Sequence, residues 1–136
     1  MPIPGENEMQ YDFSVVFSAS RIKTENEYDR YILCITLKSN FVAEASKEIS
    51  VLLRTMVRGG MKKIIVDIRD LEYIDSSGIG ILIQTTKLLR AKGGDLILLN
   101  TPDKIHEIFK LVHLNDFIHK YQFKQKAIDY LFSLNS

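Results

Sequence analysis

The stretch from Tyr73 to Gly94, YIDSSGIGILIQTTKLLRAKGG, decides how the chain is read. It starts as the end of an apolar segment and passes through Asp75-Ser76-Ser77-Gly78. It then takes on helical spacing, with Ile79, Leu82, Ile83, Thr86 and Leu89 three or four residues apart. The pattern predicts a helix over 77–92, ended by Gly93-Gly94. Before it, MKKIIVDIR (61–69) is almost continuously apolar, and DLILLN (95–100) after it repeats that character. Short runs of this kind predict strands buried on both faces of a sheet. DLEYID (70–75) is read as the loop between strand and helix.

Working outward, YDFSVVFSASRIK (11–23) puts Tyr11, Phe13, Val15 and Phe17 on one side of a strand, and YILCITL (31–37) predicts a second strand. The two are expected to form an antiparallel hairpin. FVAEASKEISVLLRTMVRGG (41–60) carries Val42, Ala45, Ile49, Leu52, Leu53 and Met56 at helical spacing. Pro102 marks the start of a helix over 103–112, with Ile105, Ile108, Phe109 and Val112 on one face. NDFIHKYQF (115–123) reads as an edge strand and KQKAIDYLFSL (124–134) as a closing helix. The order β-β-α-β-α-β-α-β-α predicts an α/β fold with a mixed, mostly parallel sheet, an N-terminal antiparallel hairpin and about four helices. Residues 1–10 read as a loose tail and 11–136 as a single domain.

Composition narrows the function classes. The chain has 136 residues, 46% of them apolar, enough to fill a core. Net charge is +1, from 18 basic and 17 acidic residues spread along the chain. This gives no electrostatic case for nucleic acid or an anionic membrane surface. The single cysteine, Cys34, lies inside a predicted strand and reads as a core residue of a protein from a reducing compartment. The first ten residues lack the pattern of a signal peptide, and no apolar run nears the length of a membrane span. A cytoplasmic location is expected.

The candidate site is the Asp75-Ser76-Ser77-Gly78 junction. In parallel α/β sheets functional loops lie at the carboxyl ends of strands, and a helix start offers free N–H groups. Either Asp75 or Ser76 supplies the N-cap oxygen, and Gly78 and Gly80 keep the first turn bare. Two readings stay open. The serines only cap the helix, or Ser76 is a regulated hydroxyl where a phosphate of about −1.5 to −2 charge would disrupt a docked partner. Ile81 and Leu88 are expected to point outward beside Gln84 and Thr85, either as a docking patch or as scattered apolar residues.

Enzymatic readings find little support. Ser76 is outside any Gly-x-Ser-x-Gly turn. His106, His113 and His119 all follow it, at spacings that suit no metal. Gly78-Ile79-Gly80 lacks both the third glycine of a dinucleotide fingerprint and a Walker lysine. Asp67 reads as a strand-end residue bonding the motif loop. No catalytic residue, cofactor or metal is expected.

The run KKIIVDIRDLEYIDSSGIGILIQTTKLLRAKGGDLILLN (62–100), continued through 105–131, resembles the STAS domain family of anti-sigma factor antagonists. In that family an apolar strand leads through a loop to Asp-Ser-Ser/Thr-Gly-Leu/Ile-Gly and then to a helix ending in Gly-Gly. The resemblance implies that Ser76 accepts phosphate from an anti-sigma factor that is a serine kinase. It implies that Asp75 orients the loop and contacts the kinase, while Ser77 and Gly78 complete the contact. The unphosphorylated form would bind the anti-sigma factor and release the sigma factor, and a serine phosphatase would restore it. Where the family commonly has Gly-Glu-Leu-Asp, this chain has LKSNFV (37–42). Relatives also serve as unphosphorylated scaffolds or as subunits of signalling and lipid-transport complexes. That is the alternative function, and a small-molecule module using the helix start as an anion site is a third.

Overall fold

A computed structural model describes residues 10–18 and 26–134. The predicted tail lies outside these residues except for Gln10, which opens the first strand. The strands are β1 (Gln10–Phe17), β2 (Tyr31–Phe41), β3 (Lys63–Asp67), β4 (Leu71–Ile74), β5 (Asp95–Leu99) and β6 (His119–Tyr121). The helices are α1 (Ala43–Arg58), α2 (Ser76–Ala91), α3 (Asp103–Leu111) and α4 (Lys124–Ser133). The sheet order is β1-β2-β3-β5-β6, and β4 pairs with the far end of β2. Only β1 runs antiparallel to its neighbour; the other pairs are parallel. This is the mixed, mostly parallel sheet with an antiparallel first pair that the sequence predicts.

Strand alternation sorts the core into two layers. Leu33, Ile35, Ile64, Val66, Leu96 and Leu98 face α1, α2 and α3, meeting Ile49, Leu53, Leu82, Leu89, Ile105 and Phe109. Ile32, Cys34, Ile65, Ile97 and Leu99 face the other way, onto Ala127, Ile128, Leu131 and Phe132 of α4. Strands covered on both faces need apolar side chains on both, which explains the runs Ile64–Val66 in β3 and Leu96–Leu99 in β5.

Several boundaries differ from the sequence reading. The strand predicted over 31–37 runs on through Lys38, Ser39 and Asn40 to Phe41, which the sequence reading places at the start of the next helix. DLEYID, read as a loop, supplies β4, which pairs Asn40 with Tyr73 and Phe41 with Ile74. A four-residue strand is stable here only because β2 overshoots β3 and offers it a ladder. The register shifts between Ser39 and Asn40, where Ser39 adopts φ 71. The predicted 11–23 strand ends at Phe17, and residues 19–25 lie outside the described set. The last strand shrinks to His119–Tyr121, behind a 3-10 turn at Leu114–Asp116. Val112, placed on the inward face of α3, is 49% exposed. The helix ends at Leu111 and His113 turns left-handed at φ 59, carrying Val112 off the core.

Candidate functional site: the start of helix α2

The site lies where β4 and β2 end together and α2 begins. Asp75 is the N-cap, in extended conformation, and one carboxylate oxygen accepts from the backbone N–H groups of Ser77 at 2.9 Å and Gly78 at 3.1 Å. The sequence left the cap open between Asp75 and Ser76; it is Asp75. Its other oxygen accepts from Ala43 N–H at 3.1 Å, the first residue of α1. That helix has Val42 at its own N-cap position and no side-chain cap of its own. One carboxylate therefore caps two helices and ties the β2–α1 turn to the β4–α2 turn. Partial burial pushes the Asp75 carboxyl upward, but hydrogen bonds from Gly78, Ala43 and Ser77 outweigh it and hold the pKa below the usual aspartate value.

Gly78 does different work from that expected of it. A Cβ there would stand 2.4 Å from the Phe41 carbonyl oxygen and 2.8 Å from Ile74 Cγ1. The residue is buried and lets α2 seat directly on the end of β2. Gly80, with nothing within 4 Å of its would-be Cβ, is the glycine that leaves the first turn open. Ser76 and Ser77, the first two residues of α2, are both exposed. Asn40, Glu72 and Tyr73 are exposed beside them in sequence and ladder.

Along α2, Ile79, Leu82, Thr86 and Leu89 are buried as expected. Thr85, expected outside, is also buried, because α1 packs across α2 and widens its covered sector. Leu88 is 39% exposed and Ile81 half-buried. Both line a shallow groove between the helices with Ser50, Arg54, Gln84 and Thr85. The α1 side of this groove was not legible as part of the site; an uncapped Val-Ala-Glu helix start is the one sequence clue that α1 meets the motif loop.

The remaining candidates lie apart from Ser76. Asp67 accepts from Arg69 N–H at 3.0 Å rather than from the motif loop. His106 is half-buried, 2.8 Å from Lys120 Nζ, in a polar pocket that also includes Thr101, Asp103 and Gln122. His113 and His119 are exposed. Among the described residues no three His, Cys, Asp or Glu side chains group as a metal site, and no helix is long and apolar enough to cross a membrane.

The chain is thus a mixed α/β domain with a serine turn, anchored twice by Asp75, exposed at the start of α2. Residues 23–127 match the STAS domain family, and the chain belongs to that family. It is 31% identical over 72 residues to the anti-sigma-B factor antagonist of Staphylococcus aureus (strain NCTC 8325 / PS 47), covering 53% of this chain and 67% of that one. Its fold is similar to the phosphorylated form of the Bacillus cell fate determinant SpoIIAA (TM-score 0.59, 24% identity, 80% of this chain and 96% of that one). A Thermotoga maritima protein is similar at TM-score 0.70 with 18% identity, over 82% of this chain and 95% of that one.

Proposed function

We propose that the chain is an anti-sigma factor antagonist whose binding state is set by phosphorylation of Ser76. The observation that carries this reading is the division of labour at the α2 start. Asp75 alone supplies the capping oxygens, so the exposed Ser76 is not needed for the cap. Its hydroxyl is available for chemistry that leaves the fold alone. The 31% identity to an anti-sigma-B factor antagonist supports the partner class.

In this mechanism the unmodified loop docks on an anti-sigma factor that is a serine kinase, and the sigma factor is released. Asp75, Ser77 and the groove around Ile81 and Leu88 form the contact surface, with Gly78 holding it in place from beneath. The kinase moves the γ-phosphoryl of its ATP to Ser76 Oγ; the hydroxyl proton departs and ADP is left. A phosphate here stands next to the Asp75 carboxylate, whose hydrogen bonds already occupy the Ser77, Gly78 and Ala43 N–H groups. The helix dipole favours the new charge, so the fold survives. A partner surface packed on the turn would meet a dianion without a counter-charge, and binding would be lost. Hydrolysis of the phosphoester by a serine phosphatase returns the binding form.

The test is intact mass and phosphosite mapping of the protein from its native cell, together with the chains that co-purify. Phosphate on Ser76 and a co-purifying serine kinase support the reading. An unmodified Ser76 with a membrane or scaffold partner retires it in favour of a constitutive scaffold.

A further inference from the structure

The two edges of the sheet are built differently. β6 is three residues long, carries His119 and Lys120, and is followed closely by α4. Short length and charge are what keep an edge from pairing with other chains. β1 is eight residues long and pairs with β2 in unbroken register from Gln10–Lys38 to Phe17–Tyr31. It has no proline, no lysine and no bulge, and its one charge, Asp12, is paired with Lys38 at 3.3 Å. Among the described residues no strand takes up its outer row of N–H and C=O groups.

The side chains point the same way. Phe13, Val15 and Phe17 are 49%, 54% and 52% exposed, all on the face that holds Tyr11. Tyr11 packs on the core and donates to Glu48 of α1 at 2.6 Å, so α1 covers the start of the stripe only. Val15 continues into a hollow lined by Tyr28, Tyr31 and Met61, with Glu27 beside them. A long, unguarded edge with large alternating apolar residues is suited to strand addition.

We propose that β1 pairs antiparallel with β1 of a second copy, across a two-fold axis at Ser14. Ser14 lies beside the middle of β1, so an axis there keeps Tyr11–Phe17 of each copy in the ladder. It sets Phe13 opposite Val15 of the second copy and Tyr11 opposite Phe17 of the second copy, each twice. Such aromatic and β-branched cross-strand pairs stabilise antiparallel ladders. Asp12 falls opposite Val16 of the second copy, so no like charges meet. The pattern is self-complementary, as a two-fold interface requires. The chain's own residues 1–9 contain Pro2 and Pro4, which have no N–H to give to a ladder, so a second copy fits this edge better.

The test is sedimentation equilibrium of the full chain from low to high micromolar concentration. The expected mass is twice 15.6 kDa. Val15→Lys sets lysines on both sides of the axis at a solvent-exposed position. It should raise the dimer Kd at least about 100-fold with no loss of Tm in the monomer. For the register, a short bis-maleimide should join Ser14→Cys chains in a Cys34→Ala background, and should not join Asp12→Cys chains. A monomer at every concentration overturns the proposal, as does a dimer that survives Val15→Lys. Cross-linking that prefers Asp12→Cys overturns the register.

Discussion

The carboxyl and amino ends of the parallel strands handle charge in opposite ways. At the carboxyl end, one carboxylate, Asp75, is spent on backbone N–H groups, and the hydroxyls beside it face water. At the amino end, charge is buried and internally matched. Asp95 accepts from Arg90 Nε at 3.0 Å and from the Tyr130 hydroxyl at 2.8 Å. Fully buried Lys63 donates to the Asp29 carbonyl at 2.6 Å and lies 5.3 Å over the Phe132 ring, while Lys62 pairs with the Asp29 carboxylate at 3.0 Å. Buried charges that satisfy one another hold elements together and offer nothing to a partner. An exposed hydroxyl beside a saturated carboxylate is the reverse case.

The largest effect should come from the tightest glycine. A Cβ on Gly94 would stand 1.7 Å from the Lys62 carbonyl oxygen, so Gly94→Ala should lower stability by more than about 3 kcal/mol in chemical denaturation. Gly80→Ala, with open space around it, should leave stability unchanged or raise it by about 0.5–1 kcal/mol. Next is Asp95→Ala, which strips Arg90 and Tyr130 of their shared acceptor and should cost about 3 kcal/mol.

The same end should show in the pH dependence. Burial pulls Lys63 down to about 8, against 10.5 for a free lysine, although the nearby Asp29 works against the shift. Between those values the unfolded chain binds the proton and the folded chain has released it, so stability should climb as pH rises from about 8 toward 10.5. Tyr130, buried and bonded to Asp95, is pushed up to about 12, so it opposes this trend above pH 10. Lys63→Met should abolish the climb, as followed by Tm against pH.

At the carboxyl end the effects are smaller. Asp75→Ala removes the side-chain cap from two helices and should cost about 1–2 kcal/mol. Because hydrogen bonding holds its pKa down, this contribution is present above the unfolded aspartate value and fades as pH falls through the folded one. Ser76→Asp should shift stability by no more than about 0.5 kcal/mol, and titration against the anti-sigma partner should show at least about tenfold weaker binding, or about 1.4 kcal/mol. A loss of stability as large as that of Asp75→Ala would mean that Ser76 belongs to the cap after all.

Wherever a residue's neighbours in sequence are also its neighbours in space, the chain was legible. The helical spacing of α2, the glycines that stop it and the need for a cap at Asp75 or Ser76 all depend on contacts within a few residues, and the buried runs of β3 and β5 show in their composition although the partners that bury them are distant. They could be read from periodicity and turn chemistry alone. Tertiary structure decided what depends on distant partners. β4 exists because β2 runs past β3, and Thr85 is buried because α1 crosses α2. Gly78 is needed because Phe41, thirty-seven positions earlier, lies beneath it. The second half of the Asp75 carboxylate was beyond sequence reasoning for the same cause: its acceptor geometry is completed by Ala43, which only the folded sheet brings within reach.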